Sequence, residues 1–275
     1  MENIYLLIGE KILCISFSNY ADSTFIPMFF KEKLKNEILE YVSGYMIKTP
    51  KIKSDYFVEF VERREFFQND SSIDNEGNFR TPFYKIASAN RIVTYYHISL
   101  YEFQFILKVI ITRKLAGKNW FIFHSSVVCN NNYAYAFTGP SGAGKSTAAK
   151  LLSSSKQFHS LADDTSIIKK DKKQFFILQT PFIEKDSGIK KGKDEYILKK
   201  VFFLKKSNQY KMRKINSKSF VLEQMISGII AYSKKDLDNQ TKLVFNFVES
   251  FDQFYYLYFG LDSKKLSHLM DSLSE

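Results

Sequence analysis

Cysteine is nearly missing from this chain of 275 residues, and tryptophan more so: the only examples are Cys14, Cys129 and Trp120. The two cysteines stand far apart with no CxxC spacing, which excludes a disulfide framework and a zinc knuckle and suits a reducing compartment. The four histidines, His97, His124, His159 and His268, fall at no metal-ligand spacing. No run approaches the ~18 apolar residues that span a bilayer. The opening MENIYLLIGEKILCISF is broken by Glu10 and Lys11 too early for a secretory core. There is no internal repeat and no low-complexity tail, which excludes a solenoid. These absences leave a cytoplasmic protein with no membrane partner as the expectation.

What is present is ordinary for a globular chain. Hydrophobic residues make up 45% and charged residues 25%, enough for one large domain or two modest ones. Phenylalanine and tyrosine are plentiful, at 27 and 17, beside abundant Lys, Ile and Asn, a mixture that AT-rich coding produces unaided. Forty basic against 29 acidic residues give a net charge of +11, a surface that attracts nucleotides, acidic peptides or nucleic acid. The lysines are scattered with no long basic block, so charge alone selects no partner.

The first part of the chain is strand-rich. Runs 4–8 and 12–17 around Gly9-Glu10-Lys11 predict a hairpin, and 56–61 and 92–98 further strands. Residues 31–42 have helical spacing, and 68–80 (QNDSSIDNEGNFR) is a loop. Leu100, Phe103, Ile106, Leu107 and Ile110 line one face of a helix over 100–115 that Ala116-Gly117 can end. Three close apolar runs follow, 120–123, 127–128 and 133–137. Asn130-Asn131-Asn132 between the last two is turn chemistry for a hairpin. Beyond lie a helix over 148–152, strands at 159–162, 175–178, 196–204 and 254–259, and helices over 217–232, 237–248 and 264–273.

The run 133–137 leads directly into Gly139-Pro140-Ser141-Gly142-Ala143-Gly144-Lys145-Ser146-Thr147. GxxxxGK[ST] is matched in full by Gly139, Gly144, Lys145 and Ser146, with a strand before it and a helix after it, the context a phosphate loop requires. Glycines let the backbone turn tightly and aim successive N–H groups at phosphate oxygens. The following helix directs its positive end at the same charge. Lys145 reaches the β- and γ-phosphates, and the Ser146 hydroxyl takes a Mg²⁺ position. Gly139, Ser141, Gly142, Ala143, Gly144, Lys145, Ser146 and Thr147 are the nucleotide-binding candidates, with ATP and Mg²⁺ as cofactors.

A second constellation stands 18 residues after Lys145: Asp163-Asp164 closes the run 159–162. A pair of aspartates there can be a turn after a strand. Parallel strands leaving a phosphate-loop sheet end beside the phosphates, so the pair can also put one carboxylate on the metal and the other on a substrate.

The segments His124-Ser-Ser-Val-Val, Thr138-Gly-Pro-Ser-Gly-Ala-Gly-Lys-Ser-Thr and Leu161-Ala-Asp-Asp, in this order and spacing, resemble the catalytic domain of HPr kinase/phosphorylase, whose fold is related to that of ATP-dependent phosphoenolpyruvate carboxykinase. The resemblance covers about residues 119–182 and continues weakly through 196–204 and 254–273. It implies that Lys145 and Ser146 carry the phosphates and Mg²⁺. It also implies that Asp163 is the base for an acceptor serine, Asp164 a metal ligand, and His124 a neighbour of the transferred phosphate. Thr147 stands where that family carries an acidic residue, the family's Gly- and Arg-containing signature has no counterpart, and 1–98 does not look like its N-terminal domain. Those departures point to the divergent relatives that modify peptides, among them kinases of the C-terminal serine of lasso-peptide precursors. Lys190, Lys191 and Lys193 in the charged loop KDSGIKKGKDE can close over the γ-phosphate.

The resulting expectation is a mixed α/β (α+β) chain: a smaller strand-rich domain over 1–98, a connecting helix over 99–118, and a phosphate-loop domain like that of HPr kinase over 119–275. The function expected is a kinase for a serine of a peptide or protein, catalysed by Asp163, Lys145 and His124, with metal ligands Ser146 and Asp164. Homo-oligomerisation is left open. Alternatives are a small-molecule kinase or a nucleotide-binding regulator without transfer. Guanylate kinases share GPSGAGKST but carry it near the N-terminus, whereas 138 residues precede it here. ABC-type ATPases need an LSGGQ-like signature, and nucleic-acid-dependent ATPases a second motif set; the sequence has neither.

Overall fold

The computed structural model describes residues 2–18, 25–62, 83–114, 119–155, 157–182, 189, 192 and 194–271. The expected loop 68–80, the helix end at Ala116-Gly117 and the lysines Lys190, Lys191 and Lys193 lie outside the described residues. The chain is mixed α/β and divides into two compact units, one of Met1–Leu115 with Pro181–Ile183 and one of Ala116–Thr180 with Glu184–Glu275. Among the described residues no helix is long and apolar enough to cross a membrane.

The first unit is built on a six-stranded mixed sheet. Its strands are β1 (Glu2–Ile8), β2 (Lys11–Phe17), β3 (Met46–Ile47), β4 (Tyr56–Val61), β5 (Tyr84–Ser88) and β6 (Arg91–Tyr95), in the order β3-β1-β2-β4-β6-β5. Ile8 faces Lys11 across a two-residue turn in which Gly9 holds φ 58°, the left-handed region that glycine enters without penalty. Helix α1 (Phe25–Val42) starts six residues before the expected 31. Pro27 falls in its first turn, where no N–H is needed for an intrahelical bond. Helix α2 (Leu100–Lys114) opens with a capping box. The Ser99 hydroxyl accepts from the Glu102 N–H at 3.2 Å, and the Glu102 carboxylate accepts from the Ser99 N–H at 2.7 Å. Phe103, Ile106, Leu107 and Ile110 of α2 are buried, as their spacing predicts.

The second unit is organised by a nine-stranded sheet among the described residues. Its strands are β7 (Trp120–His124), β8 (Ser126–Asn130), β9 (Tyr133–Thr138), β10 (His159–Ala162), β11 (Thr165–Asp171), β12 (Gln174–Leu178), β13 (Glu195–Lys206), β14 (Lys211–Lys214) and β15 (Phe254–Phe259). The main path runs β10-β8-β9-β13-β12-β11-β7, while β15 pairs with β13 and β14. The helices are α3 (Lys145–Ser153), α4 (Lys218–Ser227), α5 (Lys234–Ser250) and α6 (Ser263–Asp271).

Alternation along the central strands assigns the two faces. Ala134, Ala136, Val201 and Phe203 join the core under α4 and α5, with Val221, Val244 and Phe247. Tyr135, Phe137, Phe202 and Leu204 join the core under α3 and α6, with Ala148, Leu152, Leu266 and Met270. Burial on both sides explains the unbroken apolar run of Val201, Phe202, Phe203 and Leu204 in β13. Burial also pushes the Cys129 thiol up to about 11, so this cysteine packs as an inert apolar side chain.

Two expectations need correction. The helix expected over 217–232 ends at Ser227, because Gly228 caps it and Ile229 then pairs with Phe123 of β7. Strand β6 ends at Tyr95, short of the expected 98.

Candidate functional site

The site begins where β9 ends. Thr138 leads into a loop in which Gly139, Gly142 and Gly144 hold φ of 140°, 77° and 100°, values that side chains with a Cβ rarely adopt. A Cβ on Gly139 would meet that of Ala143 at 3.0 Å, and one on Gly144 would meet Phe259 at 3.1 Å. These glycines are therefore required by space as well as by torsion. One on Gly142 would project into open space. The loop is closed by an Ala143 N–H bond to Pro140 O at 3.1 Å.

Helix α3 follows with Gly144 as its N-cap and no side-chain cap. Its first regular bond is from Ala148 N–H to Gly144 O at 2.8 Å. The N–H groups of Lys145, Ser146 and Thr147 thus face away from any carbonyl of their own helix, the arrangement that favours an anion. Lys145 is buried, and its Nζ donates to Gly139 O at 2.9 Å and Pro140 O at 3.2 Å. Ser146 is half-buried, and Ser141 and Thr147 are exposed.

Asp163 and Asp164 occupy a crossing in the sheet. His124 faces Thr165 where β7 pairs with β11, and Val127 faces Ala162 where β8 pairs with β10. The same antiparallel register holds on both sides, so Ser125 and Ser126 face Asp164 and Asp163 in the gap between the two ladders. Hydrogen bonds confirm the pairing. Ser125 N–H donates to Asp164 O at 3.2 Å, and the Ser126 hydroxyl lies 3.1 Å from Asp163 O and 3.2 Å from its Oδ1. Around the gap, the Ser125 and Ser166 hydroxyls meet at 2.6 Å, Thr180 Oγ1 donates to Thr165 O at 3.2 Å, and Gln179 Nε2 donates to Leu161 O at 3.2 Å. These buried hydrogen bonds hold the members of the network in one arrangement.

Register also relates the crossing to the phosphate loop. Ser126 faces Phe137, and the next residue of β9, Thr138, faces Phe203 of the parallel neighbour β13. Strand β10 runs in the same direction as β9, with β8 between them. The aspartate pair and the phosphate loop therefore leave the same end of the sheet.

His124 completes the group. Its Nδ1 lies 2.8 Å from Asp164 O and 3.5 Å from Asp164 Oδ1. A carbonyl oxygen only accepts, so Nδ1 carries a proton and donates it to Asp164 O. The His124 N–H donates to Gly228 O at 2.9 Å. Asp164 Oδ2 accepts from the Thr165 hydroxyl at 3.2 Å. Asp163 is buried while Asp164 and His124 are about a third exposed, so the two carboxylates sit in different surroundings.

The structure thus joins His124 to Asp164, and Asp163 to Ser126, while Lys145 bonds its own loop. Sequence reasoning passed over Ser125, Ser126 and Gly228. The two serines follow His124 immediately, small hydroxyl residues between two apolar runs, which was the available signal. Gly228 had none beyond being a glycine at a helix end.

The residues fit Mg-ATP chemically. Three positive-φ glycines, three outward helical N–H groups and a lysine suit polyphosphate. The Ser146 hydroxyl and the Asp164 carboxylate are hard oxygen donors, of the kind Mg²⁺ takes together with substrate phosphates.

No family model and no curated protein matches the chain. Among solved structures, the HPr(Ser) kinase/phosphatase from Coxiella burnetii is similar with a TM-score of 0.30 and 12% identity, over 56% of this chain and 95% of that one. A likeness that remote carries no function across.

Proposed function

We propose that this chain is an ATP-dependent kinase that transfers the γ-phosphoryl group to a serine hydroxyl of a peptide or protein. The observation that supports it is the shared sheet end of the phosphate loop and the aspartate pair, one strand apart and linked through Ser126. A loop that only bound nucleotide would not need two carboxylates held beside it in different surroundings.

In this reading the loop N–H groups and Lys145 hold the polyphosphate, Lys145 exchanging the carbonyls of Gly139 and Pro140 for phosphate oxygens. Ser146 and Asp164 would hold Mg²⁺, which offsets phosphate charge. Asp163, aimed by Ser126, takes the serine proton as the acceptor oxygen forms its bond to the γ-phosphorus and the bond to the ADP oxygen breaks. His124, with Nδ1–H fixed on Asp164 O, presents Nε2 to the reacting groups. A C-terminal serine with its free carboxylate, as in lasso-peptide precursors, is the acceptor we favour, a refinement that rests on the sequence resemblance alone.

The experiment is incubation with Mg-ATP and peptides ending in Ser, Ala or Ser-amide, read by mass spectrometry. One added phosphoryl group on the Ser peptide alone supports both the reaction and the terminal-carboxylate preference. Equal transfer to Ser and Ser-amide keeps the kinase and discards the preference. Transfer to free nucleosides or sugars with none to peptides replaces the reading by a small-molecule kinase.

A further inference from the structure

The strand β14 ends the sheet on the β15 side, pairing among the described residues with β15 alone. Three of its four residues, Lys211, Arg213 and Lys214, are basic and exposed. The ladder registers set Lys211 opposite Tyr258, and Tyr258 opposite Lys205 of β13. Lys211 Nζ lies 5.1 Å from the Tyr258 ring centre and Lys205 Nζ 5.5 Å from that of Tyr256. The ammonium groups are thus held over aromatic faces. The strip carries its cations on β13 and β14, with the tyrosine rings of β15 between them.

The outer edge of β14 also carries backbone groups in a defined pattern. Ile215 N–H donates to Phe254 O at 2.9 Å, continuing the register in which Arg213 faces Tyr256 and Lys211 faces Tyr258. An antiparallel ladder bonds every second residue to its partner strand. Lys211, Arg213 and Ile215 therefore bond inward, and the N–H and C=O groups of Met212 and Lys214 point away from β15. An extended chain can take up those groups as one more strand, and acidic side chains on it would stand opposite Lys211 and Arg213.

The geometry points to this edge as a docking strand for an acidic, extended segment of the acceptor peptide, an inference that rests on the kinase reading and adds the substrate's docking element to it. Tyr258, beside Lys211, is followed by Phe259, which packs on Gly144 of the phosphate loop, so the docked strand ends at the phosphate end of the sheet. From β9 to an added strand beyond β14 there are four strand spacings of ~4.8 Å, ~19 Å in all, which about six extended residues span. The serine is then expected about six residues or more from the acidic segment.

The test uses fluorescence anisotropy of the full chain with a labelled peptide of alternating Glu and Val joined by a Gly-Ser linker to a terminal Ser. Three variants are compared with the parent: the double K211E/R213E, Lys214→Ala and Lys214→Pro. Both Lys214 variants lose the same charge, but only proline loses the outward N–H, and no bond to β15 is removed. The expected result is tight binding by the parent, about tenfold weaker binding by the double variant, and weaker binding by Lys214→Pro than by Lys214→Ala. Unaltered binding by the double variant, or no binding by the parent, overturns the docking strand. Equal binding by the two Lys214 variants overturns strand addition, and so does capture of single-stranded DNA by this strip in place of the peptide. Binding is read without transfer, and Mg-ATP titration of each variant is read separately. Loss of docking is therefore distinguishable from failure of the kinase reading.

Discussion

One hydroxyl, that of Ser126, lies 3.1 Å from the backbone oxygen of Asp163 and 3.2 Å from its Oδ1. Ser126 is fully buried, so its hydrogen has no water to choose instead. It fixes the aspartate side chain against its own main chain. Replacing Ser126 with Ala removes the hydrogen bond to a charged acceptor, at a cost of ~1.5–3 kcal/mol. A misplaced base slows transfer by as much as ~10²-fold. The expected outcome is a fall in kcat of about ten- to a hundredfold, with the Kd for Mg-ATP unmoved. A kcat equal to the parent's would show that Asp163 needs no positioning by Ser126.

Lys145 holds the carbonyls of Gly139 and Pro140 from inside the loop. Those two contacts lie within the loop itself. Lys145→Ala is expected to weaken Mg-ATP binding by about ten- to a hundredfold, the range for losing one charged hydrogen-bonding group. The melting temperature should stay near the parent's. Calorimetric titration measures it, and unchanged affinity in the folded variant would sink the phosphate-loop assignment.

The glycine turn before α3 and the aspartate pair after β10 were legible in the sequence because both are local: contiguous residues whose pattern stands out. The hairpins through Gly9-Glu10 and Asn131-Asn132 were legible for the same reason, since Gly9 and Asn131 suit the positive φ they hold. Strand β11 escaped notice. Its sequence TSIIKKD has little apolar content, and the turn after it puts Lys172 at φ 52° with no glycine or asparagine to mark it. Strand β14 was hidden likewise, since KMRK owes its extended form to pairing with β15. The helix over 217–232 was overextended because Ile229 and Ile230 continue the apolar pattern. In the fold they serve a different partner, the edge of β7. The continuous register that puts Ser125 and Ser126 opposite the aspartates is a long-range fact that no local pattern encodes.

Gly228 is where that long-range pairing is most sensitive. A Cβ there would clash with the Cε2 edge of the Phe123 ring, with Cδ2 at 3.0 Å and Cζ at 3.1 Å. Phe123 is fully buried and cannot move aside without disturbing the core. Gly228→Ala is therefore expected to cost ~1–3 kcal/mol, as overpacking does. It should also displace the carbonyl that receives the His124 N–H. Trp120, the sole tryptophan, is buried in β7 of the second unit, so its fluorescence in a urea titration reports that unit directly. A midpoint equal to the parent's would mean that the segment after α4 yields freely and does not brace His124.

The two aspartates are expected to fail differently. Asp163 is buried and bonded to Ser126, whereas Asp164 is partly exposed, with Thr165 on Oδ2 and His124 beside Oδ1. A buried carboxylate aimed by Ser126 suits proton removal, and an accessible one beside the phosphate end suits a metal. Asp163→Asn keeps the shape and removes the basicity, so Mg-ATP binding should persist while transfer falls by ~10²–10⁴-fold, the range for a lost general base. Asp164→Asn should instead raise the Mg²⁺ concentration that gives half-maximal transfer, and saturating Mg²⁺ should restore part of the rate. Titrating transfer against Mg²⁺ at fixed ATP, in both variants and the parent, separates the roles. If Asp163→Asn shows the shifted Mg²⁺ requirement and Asp164→Asn the unrescued loss, the assignments are exchanged. If both turn over like the parent, the pair is only the bend that carries β10 into β11.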